Sequence, residues 1–494
     1  MDNNEKVQIK LERHKWPDEL EREKKKRKSI ALISIALLTA FVFGWQANKL
    51  VLGDNSFVQT SSDTSKFDRV YRDVINNWYF GKDMEDVKSE LQDNAIKGML
   101  EQNGDPHTSY MTKEESQSFS QSINMSFVGI GVQYYAGGDL NVITNVFKDS
   151  PAEKAGLQAG DIIQRVDGVT ITEDNSIQEL VLGEAGTKVK IDILRGEQVL
   201  NLELTRAQVS ALASGYMANE DTAYLAISSF GEQLGAVTKN YLDGFKQEGA
   251  KNLILDLRDN GGGLLDAVND LSKLFLKNGD IVYQENYTNG KTDVYKVTGS
   301  IADQYPLDSI VILINENSAS ASEVLTLALV GNLDAKVVGT TSYGKGTVQV
   351  SYSYPDRSAL KVTIAKWMGP DGTSIDKTGI KPDYEVKLAD IFYTSYVELE
   401  EGFVINPDSV HEAVAYVQKG LKYLGVHNGR TDGYYDTITQ TSLNDFAAKF
   451  KLDAIQNIDK NVVSKVYSFV LRDWALNKKD MDIQLHKAIE VIYE

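Results

Sequence analysis

Ser309-Ile310-Val311-Ile312-Leu313-Ile314-Asn315-Glu316-Asn317-Ser318-Ala319-Ser320-Ala321-Ser322-Glu323 runs from an apolar strand, through a polar turn, into a helix. The short continuous apolar run has the length of a buried strand. Asn315 to Ser318 are turn formers that stop it. From Ser322 onward, Val324, Leu325, Leu327, Ala328 and Leu329 carry a mostly buried helix. Ser320 therefore stands at a strand-to-helix turn, where backbone N–H groups are unpaired and can face a developing oxyanion. That is a good place for a nucleophile.

A serine hydroxyl needs a base, most often histidine. The chain has five: His14, His107, His411, His427 and His486. His14 lies in a charged N-terminal tail, and the last three lie in a C-terminal region that reads as separate. His107 sits in the turn Asp105-Pro106-His107-Thr108-Ser109-Tyr110 and is read as structural. Lys345 is the better base, because Gly344 and Gly346 place it in a tight loop feeding Thr347-Val348-Gln349-Val350. If that segment is a strand, Lys345, Thr347 and Gln349 share a face by the period of two. A lysine acts as base only when neutral, so its pKa must fall from about 10.4 towards 7–8, at a cost of roughly 4 kcal/mol. Only a packed pocket sustains that.

Either word alone is weak, since a serine at a helix start is usually a cap and Gly-Lys-Gly usually a turn. Together and in this order, 25 residues apart from Ser320 to Lys345, they are specific. The chain here resembles the serine carboxyl-terminal processing peptidases, with their SASASE and GKGTVQ words. The resemblance implies Ser320 as nucleophile, Lys345 as general base and Gln349 as the residue that orients the lysine. Members often carry an acidic residue where this chain has Gly331, so an auxiliary carboxylate is expected to be lost or moved to Asp334.

At 494 residues, with 42% hydrophobic and 25% charged residues, the chain is long enough for three or so globular domains. Its net charge of −18 makes nucleic acid an unsuitable partner for the main body. Without cysteine there are no disulfides or thiolate metal sites, and no His/Asp cluster suggests a metal, so neither metal nor organic cofactor is expected.

Residues 1–28 read as a cytoplasmic tail ending in Lys24-Lys25-Lys26-Arg27-Lys28, and residues 29–49 as a transmembrane anchor. The basic cluster before the apolar run of residues 30–45 places everything after it outside the cell. A cleaved signal peptide is the alternative, but no A-x-A site follows. Residues 50–65 form a polar linker. Residues 66–125 are an N-terminal helical part of the peptidase, with Phe67, Val70, Tyr71, Val74 and Trp78 at helical spacing; it covers the core or makes a subunit contact.

Residues 126–208 resemble a PDZ domain of the bacterial protease type, most specifically in Ser150-Pro151-Ala152-Glu153-Lys154-Ala155-Gly156-Leu157 and the Gly160-Asp161-Ile162-Ile163 that follows. Backbone groups at Gly129, Ile130 and Gly131 are the expected holders of a substrate C-terminus, beside a strand edge open to an added peptide strand. Residues 209–400 alternate strands and helices and read as an α/β catalytic core, for which the resemblance implies a crotonase-like arrangement. Asp259-Asn260-Gly261-Gly262-Gly263 lacks a full nucleotide-binding pattern. The resemblance sets it beside the nucleophile, with Gly261 or Gly262 giving one oxyanion-hole N–H and Ala321 a second.

Residues 409–470 resemble a small all-α peptidoglycan-binding domain, with Ala447 where glutamine is common, and residues 471–494 read as a plain helical tail. The whole implies a membrane-anchored, extracytoplasmic serine endopeptidase acting on proteins with accessible C-termini. Peptidoglycan is a further partner, and a homodimer is common in that family. The competing classes are a non-catalytic cell-wall scaffold, which intact Ser320, Lys345 and Gln349 argue against, and a peptidoglycan hydrolase, for which no acidic pair or zinc constellation is present.

Overall fold

The computed structural model describes residues 65–494 except 85, 138–139 and 172–176. The anchor expected at 29–49 and the tail before it lie outside the described residues; among those described, no helix is long and apolar enough to cross a membrane.

Helices α1 (Ser65–Asn77) and α2 (Val87–Glu101) come first, and no residue of α2 is buried. Strand β1 (Ser109–Met111) and helix α3 (Lys113–Asn124) follow. Thr112 and Glu115 close α3's N-terminus by a reciprocal capping box.

The unit expected to be PDZ-like is entered by β2 (Ser126–Gly129). Its sheet comprises β3 (Val132–Gly137), β4 (Leu140–Val146), β5 (Ile162–Val166), β6 (Val169–Thr170), β7 (Lys188–Arg195) and β8 (Gln198–Thr205). Two short helices, α4 (Pro151–Lys154) and α5 (Ile177–Val181), complete it. The order is β3-β4-β5-β7-β8 with β6 on β5, so β3 is an edge. Its own core includes Ile130, Ile143, Ile163, Val189, Ile191 and Ile193. The chain leaves by β9 (Ala207–Ser210), which pairs antiparallel with β2, making entry and exit one two-stranded stem.

The unit expected to be the α/β core has two sheets. The first contains β10 (Ala213–Met217), β11 (Thr222–Ile227) and, after α6 (Leu234–Glu248), β12 (Asn252–Asp256). Helix α7 (Leu265–Phe275) leads to a hairpin, β13 (Ile281–Tyr287) and β14 (Thr292–Lys296), in the second sheet. The first sheet resumes with β15 (Ser309–Ile314), α8 (Ala321–Leu333) and β16 (Lys336–Gly339). Then β17 (Thr347–Ser353) and β18 (Ala359–Met368) join the second sheet, and β19 (Tyr384–Glu385) closes the first. Strands β11, β12, β15, β16 and β19 run parallel, as expected of an α/β unit whose apolar strands are buried on both faces. The N-terminal β1 pairs with β18, setting Ser109 opposite Lys361 and docking the DPHTSY turn on the second sheet.

Helices α9 (Glu412–Tyr423), α10 (Thr437–Lys449), α11 (Lys460–Met481) and α12 (Ile483–Ile492) form the C-terminal region. Two expectations change here. The boundary at 470 falls inside α11, which is one continuous helix because Asp459 caps its start and Val463, Val466 and Val470 bury a single stripe. Residues 471–494 are no plain tail, since Leu485, Ala488, Val491 and Ile492 pack on Tyr224, Ile254, Val311, Leu313 and Val338 of the parallel sheet.

Candidate active site

Ser320 precedes α8 with φ 55° and ψ −116°, a backbone region that L-residues rarely occupy. Such strain persists only where surroundings enforce it. Here the Glu323 carboxylate does so, Oε2 accepting the Ser320 N–H at 2.8 Å. The same oxygen accepts the Lys345 N–H at 2.9 Å, while Oε1 accepts from Gly344 N–H at 2.7 Å and the Ser342 hydroxyl at 2.6 Å. One buried carboxylate thus fastens the Ser320 turn to the Gly-Lys-Gly loop. Burial pushes its pKa up, against four hydrogen bonds that favour the ionised form. Sequence reasoning missed Glu323, although Ser320-x-x-Glu323 has the spacing of a capping box.

Lys345 is 2% exposed. Burial, then the positive charge of Lys361, holds its pKa well below the ordinary lysine value, opposed by Glu323 and Asp105. Its carbonyl accepts the Trp367 indole N–H at 2.8 Å, so its backbone is pinned on both sides. The flanking glycines are needed: Gly344 has φ 85°, and a Cβ on Gly346 would stand 2.8 Å from the Asp376 Cα. Lys361 is itself buried, its Nζ 5.4 Å from the centre of the Phe119 ring, and burial lowers its pKa to about 8. His107 borders the same cluster; burial, then the charges of Lys345 and Lys361, holds its pKa down to about 4, so it is neutral at physiological pH.

Gln349 is buried on β17 and donates Nε2–H to the Thr347 and Thr363 hydroxyls at 2.8 and 3.2 Å. Thr347 and Gln349 share a face, as the period of two predicts, since their side chains are hydrogen-bonded to each other. The β17–β18 register shifts between Val348 and Gln349, and both residues are buried.

The Asp259–Gly263 loop lies against Ser320: a Cβ on Gly262 (φ 109°) would stand 2.9 Å from the Ser320 Cβ and 3.0 Å from the Ala321 nitrogen. Gly262 is not a free oxyanion donor, however, because its N–H is given to Asn260 Oδ1 at 2.8 Å. Its bare Cα is what the site requires. Among the described residues neither the Gly261 nor the Ala321 N–H has an acceptor. Asp334 caps the far end of α8, which also carries Gly331, and pairs with Lys336 at 3.0 Å.

In the smaller domain, the Ile130 and Gly131 carbonyls accept from the Ala152 and Phe147 N–H groups at 2.8 and 3.0 Å, and Gly129 ends β2. Among the described residues no cluster of three His, Cys, Asp or Glu side chains could hold a metal.

The family model for peptidase family S41 matches residues 221–386, and that for the PDZ domain matches residues 142–195. The chain is 33% identical to the carboxy-terminal processing protease CtpA of Bacillus subtilis (strain 168), over 94% of this chain and 97% of that protein. It is 30% identical to a probable CtpA-like serine protease of Staphylococcus haemolyticus, over 86% of this chain and 85% of that one. Among solved structures, the photosystem II D1 C-terminal processing protease shows 25% identity and a TM-score of 0.38, over 66% of this chain and 94% of the other.

Proposed function

Because the chain belongs to the S41 family of carboxy-terminal processing serine proteases, with a PDZ domain, we propose that it cleaves peptide bonds by Ser320/Lys345 acyl-enzyme chemistry. The observation that carries this reading is the Glu323 carboxylate holding the backbones of Ser320 and Lys345 together around a buried lysine whose pKa burial holds down. Ser320 Oγ attacks the scissile carbonyl carbon as neutral Lys345 takes its proton. The Gly261 and Ala321 N–H groups receive the oxyanion. The proton then passes from Lys345 to the leaving amine, leaving an ester on Ser320, and Lys345 activates the water that hydrolyses it. Gln349 orients the lysine through its carbonyl Oε1, since Nε2 is committed to two threonines.

The PDZ domain captures substrate C-termini near Gly129–Gly131, and the place of β3 at the end of its sheet among the described strands supports strand addition. A crotonase-like description of the core, a single N-terminal anchor with the catalytic region outside the cell, and peptidoglycan contact by the C-terminal helices belong to the same proposal. So does a homodimer: Phe67, Val70, Trp78, Tyr79, Phe80 and Met99 are exposed apolar residues on or beside α1 and α2. The test is to incubate residues 65–494 with an unfolded protein and identify products by mass spectrometry. New C-termini from the wild type and none from Ser320→Ala are expected; no cleavage by the wild type contradicts the proposal.

A further inference from the structure

We infer that Asp482, at the junction of α11 and α12, is a positioning residue for the loop that supplies the oxyanion donor, acting through Arg258, a role that depends on Gly261 and Ala321 being the donors proposed above. The C-terminal segment would then be part of the working active site rather than an appendage to it.

Asp482 is fully buried and grips Arg258 bidentately, Nη1 to Oδ1 at 3.0 Å and Nη2 to Oδ2 at 2.7 Å. Gln484 Oε1 also accepts from Nη1, at 2.8 Å. On its other side Arg258 is held by Asp256, Nε to Oδ1 at 2.9 Å and Nη2 to Oδ2 at 2.6 Å. Every nitrogen of the guanidinium is engaged, so its position is fixed by both carboxylates at once. Asp482 is fixed in turn: Oδ1 caps α12 by accepting the Gln484 and Leu485 N–H groups at 3.1 and 3.0 Å, and α12 is packed on the parallel sheet.

Arg258 leads directly into the loop. Asp259 follows with φ 58°, its Oδ1 accepting the amides of Asn315 and Asn317 at 2.9 and 2.8 Å. The Asn260 carbonyl then accepts the Ser322 hydroxyl at 2.7 Å and the Ala319 N–H at 3.1 Å. Asp259 and Asn260 are thus tied to the nucleophile turn itself. Arg258 is tied to a residue 224 positions away, in a helix pair that also reaches the PDZ domain. Tyr135 of β3 is buried in the C-terminal core, and a Cβ on Gly160 would collide with Leu476 of α11. Removing the Asp482 charge leaves a buried guanidinium with one carboxylate partner, Asp256, instead of two, and with Gln484 alone on the other side, free to shift the loop. Oxyanion donors must sit within a few tenths of an ångström to work, so such a shift reads out in the transition state.

The test uses the 65–494 protein, a short chromogenic peptide, a peptide aldehyde that forms a tetrahedral adduct on Ser320, and an uncleavable peptide amide. In Asp482→Asn, kcat and aldehyde affinity should fall together by about 10- to 100-fold, with KM and amide affinity within twofold. Arg258→Lys should behave alike, and the double variant should be no worse than either single one. A stability role alone predicts a lower melting temperature with kcat unchanged at 25 °C, or equal loss for aldehyde and amide; either result overturns the inference. Should Asp482→Asn not fold, Gln484→Ala removes one Arg258 acceptor, together with the Nε2–H bond to the Val386 carbonyl at 2.7 Å, and should lower kcat about threefold or more with the same split; an unchanged kcat overturns it. A wild type that leaves the peptide intact instead contradicts the Ser320/Lys345 reading, which the Ser320→Ala control tests separately.

Discussion

At Ser320 and Lys345 neither word alone pointed to the chemistry, since a serine at a helix start is usually a cap and a lysine between glycines usually a turn; the two together, in that order and 25 residues apart, did. What held them was not legible. Glu323 acts through four donors that come from two separate segments, and Lys361 meets the site only through the pairing of β1, β17 and β18. The depressed Lys345 pKa has a stability consequence. Because the folded-state pKa lies below the unfolded one, the unfolded chain binds more protons at this lysine than the folded chain does, so stability at this site rises with pH up to the unfolded value of about 10.4. Lys345→Met removes that penalty. Its melting temperature should exceed wild type at pH 7, and the excess should shrink as pH approaches 10. Calorimetry between pH 6 and 10 checks this, and a melting temperature below wild type at pH 7 contradicts it.

Among the elements, β15 begins and ends where its apolar run does, since a buried strand of a parallel sheet reads as a plain hydrophobic word, and α8 and β17 start close to where the turn residues before them end. The bulge between Val348 and Gln349 was invisible because a one-residue register shift leaves no local mark. The Gly262 amide was misassigned for a similar reason: which way a loop N–H points depends on Asn260, whose side chain turns back onto it. The joint between α8 and the Gly-Lys-Gly loop can be broken by one atom. Glu323→Gln puts an amide NH₂ among donors that need acceptors, and should cost about 3 kcal/mol of stability and roughly 10²-fold in kcat. Urea unfolding with an unchanged m-value, together with steady-state rates, measures both. Wild-type stability and rate would show that the carboxylate is not what joins the two elements.

At the scale of the molecule, a PDZ domain and an S41 peptidase unit were readable in the sequence, but the way the parts of the chain touch was not. Contacts such as Arg258 with Asp482, or Leu476 over Gly160, join positions more than 200 residues apart and follow no spacing rule. The PDZ proposal belongs to this scale. Capture of a terminal carboxylate by backbone N–H groups should depend on a free C-terminus rather than on one side chain. Amidating a peptide substrate should therefore slow its cleavage by the intact enzyme without altering the scissile bond. Equal rates for the free and amidated peptides would leave the PDZ domain without that role.

The central claim, that neutral Lys345 activates Ser320, is tested most directly by the rate at which a fluorophosphonate labels Ser320 as a function of pH. The wild-type rate should rise on a single ionisation well below the ordinary lysine value. Lys345→Arg and Lys345→Ala should both lose about 10³-fold or more, because a guanidinium cannot give up its proton. Labelling of Lys345→Arg at the wild-type rate would contradict the account.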